Sequence, residues 1–414
     1  MVPLVSAIAS FLSIIAIPQF LSGKPAAGTM VNPNILAGYL VMAIPLVLGM
    51  LMISAPAPVR RAYKIALFLT VACLLLTGSA AGIISAFLVS LSVIYKEKGM
   101  TFLKEYRRLL LAGLVIAALI VILKSGEAQV ENRIVWWKTA VRMIMHRPLL
   151  GVGAGNFASS YLRYRSGGLN SLYAHNFFLQ LASETGLPSL LAFLCFLLML
   201  FARKGNVSMQ AGLAGVLIHN VLDYNLAVPA NAVLFWVMAG MALRSPPAGP
   251  VIPIFEKRLD RNEKRILNVV TAILIAGSAM SVSKPFLASR HMAFGNIARR
   301  EQKLDRSEDE YMKAVGLDAM NPLAYFSLSE LYLIRYGEDR YESWLDEAII
   351  ELNEAIRCQH DYAPFHGSLA FIYRLKRDYK KSMGEMKKAI SLDRHNREYP
   401  VSLIKLTELA KESP

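Results

Sequence analysis

The sequence predicts an all-α protein: a polytopic helical membrane domain of about nine spans, followed by an extracytoplasmic solenoid of helical repeats. Three observations predict it. The 414 residues are 55% hydrophobic and only 18% charged, with a mean hydropathy of +0.40, whereas soluble chains carry about 25% charged residues. The charge is also split: residues 1–285 hold 25 Lys and Arg against 9 Asp and Glu, and residues 286–414 hold 20 against 21. Finally, long apolar runs give way after residue 285 to a repeat of small residues. The expected domains are therefore 1–285 and 286–414.

Apolar runs of about 20 residues, enough to cross a bilayer, fall at 2–21, 34–55, 106–123, 176–202 and 265–284. The stretch 62–95 is too long for one span and divides at Thr77-Gly78-Ser79, and 207–243 divides near Asp223–Pro229. Loop charges orient the nine. Arg60, Arg61 and Lys64 follow the second span, and Lys96, Lys98, Lys104, Arg107 and Arg108 follow the fourth. Arg203 and Lys204 follow the sixth, and Arg244, Lys257, Arg258, Arg261, Lys264 and Arg265 the eighth. All fall on one side, which the positive-inside rule makes cytoplasmic. The N-terminus is then inside, while 22–33, 125–174, 223–228 and everything after 285 face outside. The opening segment lacks a basic n-region and a clean cleavage site, so it reads as a retained membrane helix. Cys73, Cys195 and Cys358 have neither metal spacing nor the pattern of a disulfide framework. The net charge of +15 belongs to membrane flanks and one loop, and does not point to nucleic acid.

In the second part Ala314, Ala355 and Ala389 occupy equivalent places, with Ser307, Ala348 and Ser382 seven residues before them. The last two units are 34 residues apart, the tetratricopeptide length. Phe365–Asn396 reads as one hairpin. Pro322 and Pro364 precede first helices, where a missing N–H costs little. The middle unit carries about seven extra residues around Gly337–Trp344. Such arrays hold many kinds of protein partner, or serve as a plain scaffold.

The external loop 125–174 carries Arg133, Lys138, Arg142, Arg147, Arg163 and Arg165 against only Glu127 and Glu131. Positive charge outside opposes the orientation signal, so an anionic ligand at the outer face is its simplest cause. Arginine offers planar, bidentate donors suited to phosphate; a basic loop facing lipid head groups is the alternative. Trp136 and Trp137 read equally well as interfacial anchors. Gly151, Gly153 and Gly155 could bring backbone N–H groups to an oxyanion. His175 lies at the outer surface just before an apolar run, where a near-neutral imidazole can take a proton from a hydroxyl. Glu184 is nine residues on, about 13 Å deeper and on the opposite side of an unbroken helix. It is expected to be a buried acceptor that positions neighbouring helices. His219, Asn220 and Asp223 form a second polar cluster at the end of the seventh span.

With these residues in order, the sequence resembles the O-antigen ligase and polymerase family of polytopic bacterial membrane proteins. The matching pieces are Val31–Gly38, Leu76–Ser79, Arg133–Lys138, His146–Phe157, Ala174-His175-Asn176 with Glu184-Thr185-Gly186, and His219–Asn225, covering about residues 25–245. The resemblance implies a cytoplasmic-membrane protein. Its donor would be a polyprenyl-diphosphate-linked glycan on the external face, transferred to a hydroxyl of lipid A core, a growing glycan or a protein. Neither nucleotide sugar nor metal nor other cofactor is implied. Arg142, Arg163 and His175 are then the expected catalytic residues, with Arg133, Arg147, Arg165, Asn176 and Gly153 binding substrate and Glu184 and Asp223 as structural polar groups. Without an acidic metal motif, arginines must neutralise the leaving diphosphate, and a single inverting displacement follows. Two departures stand out. Ser79-Ala80-Ala81-Gly82 replaces the usual Ser-Arg-Gly, so an arginine often linked to activity is missing. Fewer spans than usual precede Asn32-Pro33-Asn34, which suggests a truncated or misassigned start. The rival class is a non-enzymatic scaffold or export-transporter subunit that uses the repeats to hold partners.

Overall fold

The computed structural model describes the chain except residues 31, 54, 106, 109–110, 112–114, 116–126, 168, 204, 245–259 and 413–414. All regular structure among the described residues is helical. The chain packs as two compact units, Met1–Val251 and Ile252–Pro414.

The first unit is built around one helix. α1 (Val2–Leu21), α2 (Pro33–Met52), α3 (Ala57–Thr77) and α4 (Ala80–Glu105) come first in the chain. α5 (Glu127–His146) and α6 (Phe157–Tyr164) lie within the expected external loop, followed by α7 (Phe177–Thr185), α8 (Leu187–Phe201), α9 (Val207–His219) and α10 (Pro229–Leu243). α2 is buried continuously from Ile35 to Val47 and packs against α1, α3, α4, α9 and α10. Its start is set by Asn32, whose side chain accepts from the Ile35 N–H, and by Pro33 in the first turn. The α2–α9 crossing is close because α9 presents Gly212 and Gly215. A Cβ at Gly212 would lie 2.7 Å from the Met42 carbonyl oxygen.

α1, α2 and Ala80–Met100 of α4 are long and apolar enough to cross a membrane, and α8, α9 and α10 are shorter apolar helices. The expected divisions at Thr77–Ser79 and Asp223–Pro229 coincide with helix breaks. Gly78 closes α3 in the left-handed region, and the turn Asn225–Ala227 separates α9 from α10. The expected span 176–202 is instead two helices. Gly186 (φ 87°) breaks it after Glu184, and the unbroken-helix argument for Glu184 fails at the other end, because the helix begins only at Phe177 and His175 stands outside it with φ 49°. Most of the expected span 106–123 lies outside the described residues, as does most of the basic segment after α10.

In the second unit, α11 (Arg261–Arg300) opens with a capping box between Asp260 and Glu263. It runs through the expected domain boundary at 285/286. α11 pairs with α12 (Leu304–Leu317), α13 (Pro322–Asp339) with α14 (Ser343–Cys358), and α15 (Ala363–Leu375) with α16 (Tyr379–Leu392). These are the expected tetratricopeptide-like hairpins. Ala314, Ala355 and Ala389 are fully buried, as are Ser307, Ala348 and Ser382. Ser307 donates to the Gly295 carbonyl and Ser382 to that of Ala370, the same bond in two hairpins. The extra residues of the middle hairpin lengthen α13 to Asp339 before Arg340 (φ 62°) ends it. A further helix, α17 (Glu398–Glu412), packs on α16, with Leu406 joining Ala370 and Met386 in a small core.

Candidate active site

His175 stands immediately before α7, with φ 49°. The next residue, Asn176, caps that helix by accepting from the Leu179 N–H at 3.0 Å. On the other side, the Ala174 N–H donates to Gln180 Oε1 at 3.0 Å. The imidazole is thus held between two ties to the first turns of α7. Trp136 of α5 stacks on it with ring centroids 4.5 Å apart, and Tyr224 meets it edge-on at 5.1 Å. The Trp137 indole N–H reaches the His175 carbonyl at 3.4 Å. The two tryptophans therefore build the histidine's wall.

The polar partner of His175 is Asp223. His175 Nδ1 lies 3.7 Å from Asp223 Oδ1, the histidine side chain 25% exposed and the aspartate 4%. The Tyr224 N–H donates to the same Oδ1 at 2.9 Å, and His219 Nε2 lies 4.0 Å from Oδ2. Burial raises the Asp223 pKa, yet the His175 contact, the neighbouring His219 and the Tyr224 N–H outweigh it. The carboxyl consequently titrates below its usual range. The Phe177 N–H fixes the register of the two segments by donating to the Asn220 and Asp223 carbonyls at 2.9 and 3.0 Å.

Beneath this pair lies a buried polar layer made by motifs far apart in sequence. Ser79 Oγ and His219 Nε2 are 3.2 Å apart, His219 Nδ1 and Asn225 Nδ2 3.3 Å, and Asn231 reaches both Asn225 and the Ile35 carbonyl. Asn32 meets the Tyr224 hydroxyl at 3.4 Å, and a Cβ on Gly38 would overlap the Asn225 amide. The segments 32–38, 76–79, 174–176 and 219–225 thus converge on one place. Among the described residues, no group of three or more His, Cys, Asp or Glu is arranged to hold a metal ion.

The glycine-rich loop has a different job from the one expected. Gly153 N–H donates to the Glu184 carbonyl at 2.9 Å, and Gly155 and Phe157 N–H donate to its carboxylate at 3.0 and 3.2 Å. The donors expected for a ligand oxyanion are already engaged, those of Gly153 and Gly155 by Glu184 and that of Gly151 by the Arg147 carbonyl at 3.0 Å. Glu184 does serve as a structural acceptor, but half-buried and toward a loop. A cavity of about 500 Å³ opens beside it, lined among others by Gly155, Tyr173, Phe177, Gln180 and Glu184.

The arginines separate into groups. Arg133, three residues before Trp136 on α5, is half-buried and within electrostatic reach of His219. Arg142 Nη1 donates to the Tyr164 carbonyl at 3.2 Å, and the Arg163 guanidinium lies 5.7 Å from the Tyr164 ring centroid. His146 Nδ1 completes that cluster, 2.9 Å from the Tyr164 hydroxyl. Arg165 is buried and donates to Asn170 Oδ1 at 2.6 Å, bracing the approach to His175. Arg147 is exposed at the end of α5. Sequence reasoning missed the pairing of Asp223 with His175 and the stacking of Trp136. The nearest signal was the polar cluster of His219 and Asp223 at a helix end.

Residues 65–194 match the family model described as O-Antigen ligase. The match bears out the sequence resemblance and supports glycan transfer in cell-surface polysaccharide synthesis. It spans His175, Glu184 and all six basic residues from Arg133 to Arg165, but not His219 or Asp223. No curated protein matches the chain. Among solved structures, the chain is similar to the first TPR of Spaghetti (RPAP3) bound to an HSP90 peptide, at 18% identity and TM-score 0.28, covering 31% of this chain and 94% of that one. It is also similar to the Arabidopsis OM64 TPR domain, at 14% identity and TM-score 0.28, covering 30% and 98%.

Proposed function

We propose that this protein transfers a glycan from a polyprenyl-diphosphate donor to a hydroxyl acceptor at the outer face of the bacterial cytoplasmic membrane. The observation that carries the reading is the His175–Asp223 pair, a partly exposed imidazole backed by a buried carboxylate. Asp223 holds the proton of Nδ1, which leaves Nε2 able to accept one. Nε2 then takes the proton of the acceptor hydroxyl as its oxygen attacks the anomeric carbon. The bond to the diphosphate breaks, and the electron pair leaves with it. Attack opposite the leaving group inverts the anomeric centre, without metal or cofactor. Arg142 and Arg163 neutralise the departing diphosphate, while Arg133, Arg147, Arg165 and Asn176 shape its approach. The cavity beside Glu184 offers aromatic faces and amide groups to a sugar ring of the acceptor, whether lipid A core, growing glycan or protein.

This reading places nine spans in the membrane with the N-terminus inside and the repeats outside, where they dock an acceptor or a protein partner. The absent Ser-Arg-Gly arginine keeps the scaffold reading as the comparison to defeat. Purified protein given a labelled polyprenyl-diphosphate glycan is expected to transfer it, and His175→Ala to stop transfer. Arg142→Lys is expected to fall well below wild type, because an ammonium makes no bidentate contact. Full turnover by His175→Ala would remove the base, and none by wild type would favour the scaffold.

A further inference from the structure

Resting on the reading of His175 as the base, we infer that His219 is a positioning residue for the His175–Asp223 pair, held in one tautomer by an amide relay that starts at the Ile35 carbonyl. A carbonyl oxygen only accepts, so the Asn231 side chain must present its NH2 to Ile35 O, 2.9 Å away. The same NH2 lies 3.3 Å from Asn225 Oδ1, to which it gives its second proton. With Oδ1 so engaged, Asn225 presents its own NH2 to His219 Nδ1 at 3.3 Å. An amide nitrogen donates, so Nδ1 accepts and carries no proton. In a neutral imidazole the proton then sits on Nε2.

That proton faces Ser79 Oγ at 3.2 Å and Asp223 Oδ2 at 4.0 Å. One oxygen of Asp223 is thereby turned toward a donor from below. The other, which receives the Tyr224 N–H, remains for His175 Nδ1. His219, Asn225 and Asn231 are fully buried, with Ser79 and Asp223 nearly so, and water does not compete along the relay. Asn231 Oδ1 is itself buried with no partner. Reversing that amide would set oxygen against the Ile35 oxygen, so the orphaned atom marks the orientation the layer tolerates. His219 touches no substrate in this scheme; it acts through Asp223.

The test uses the full-length protein in lipid bilayers with 15N-labelled histidine. The neutral resonance that disappears in His219→Gln is expected to show a protonated Nε2 and a bare Nδ1. Asn225→Asp puts an acceptor opposite Nδ1, so the tautomer reverses, and the His175 Nδ1 proton, assigned by its loss in His175→Ala, shifts with it. In transfer assays Asn225→Asp and His219→Leu are expected to lose about ten-fold or more in kcat at nearly constant KM, as supporting residues of a site commonly do. His219→Gln, whose amide accepts from Asn225 and donates toward Ser79 and Asp223, is expected to keep most of the rate. A wild-type His219 protonated on Nδ1 overturns the relay. So does a His175 resonance unmoved by Asn225→Asp, or equal rates for His219→Gln and His219→Leu. Absence of transfer by wild type, or activity in His175→Ala, defeats the functional reading instead, and the spectra still decide the relay.

Discussion

The Glu184 carboxylate accepts the Gly155 backbone N–H at 3.0 Å, tying the end of α7 to the loop that leads into α6. With the Phe157 N–H and the Gln180 amide it forms a three-donor clasp. Glu184→Ala leaves those backbone donors without a protein partner, and each such loss costs about 1–3 kcal/mol where water cannot replace it. The expected result is faster limited proteolysis within residues 147–157 and a lower Tm in detergent. Unchanged cleavage would show that the loop is held by its other bonds.

Asp223→Asn keeps the size of the side chain and removes its charge. The amide oxygen can take the place of Oδ1, which faces both the Tyr224 N–H and His175 Nδ1, so what the variant removes is the negative charge that stabilises the imidazolium once Nε2 has taken the acceptor's proton. The expected outcome is a kcat lowered on the order of 100-fold, within the range general-base catalysis contributes, with KM little changed. A KM effect alone would make Asp223 a binding group.

The repeats contain a titration of their own. Glu310 pairs with His291 at 2.8 Å and Glu385 with His366 at 2.7 Å, each nineteen residues apart. Glu351 stands at the matching place, three residues after Ala348, but Tyr325 occupies the histidine position once the extra residues of α13 are counted. Tyr325 gives its hydroxyl to Ala319 O instead. Burial, then the carboxylates of Glu347, Glu354 and Glu308, raise Glu351 from 4.5 to about 7. A raised folded pKa means stability that is present below about 4.5 and declines as pH climbs through about 7. Glu351→Gln should therefore raise the Tm of the repeats at pH 8 and leave it nearly unchanged at pH 4.5. Circular dichroism of residues 288–414, expected to be soluble and helical alone, is the measurement, and equal shifts at both pH values would count against it.

Topology can be read with single cysteines on a background lacking Cys73, Cys195 and Cys358. A cysteine replacing Ser391 should react with an impermeant reagent in intact spheroplasts, and one replacing Arg203 should not. The reverse pattern would turn the proposed site toward the cytoplasm.

Much of the helical layout was legible because breaks in apolar runs carry chemical marks. Thr77-Gly78-Ser79 and Asp223–Pro229 interrupt long stretches with polar and turn-forming residues, and the helices end there. Gly186 was missed because Leu187 and Pro188 resume an apolar run at once, and Pro in a first helical turn does not disturb it. His175 was legible from its place before a helix at the membrane surface. Its partner was not: Asp223 lies 48 residues away, and no spacing rule encodes which turn a folded helix brings alongside another. Trp136 and Trp137 show the same limit, since an aromatic pair at an interface looks alike whether it faces lipid or an imidazole.

The backbone of His175 sets two selective pressures against each other. Among described residues only Gln302, Arg340 and Arg377 share its positive φ without being glycine, and each of those ends a helix. A β-carbon in that region costs on the order of 1–3 kcal/mol. Directed evolution for heat resistance alone should therefore drift toward glycine or asparagine at 175 and discard the imidazole with the strain. A library screened for transfer should hold histidine there and recover its robustness at distant positions.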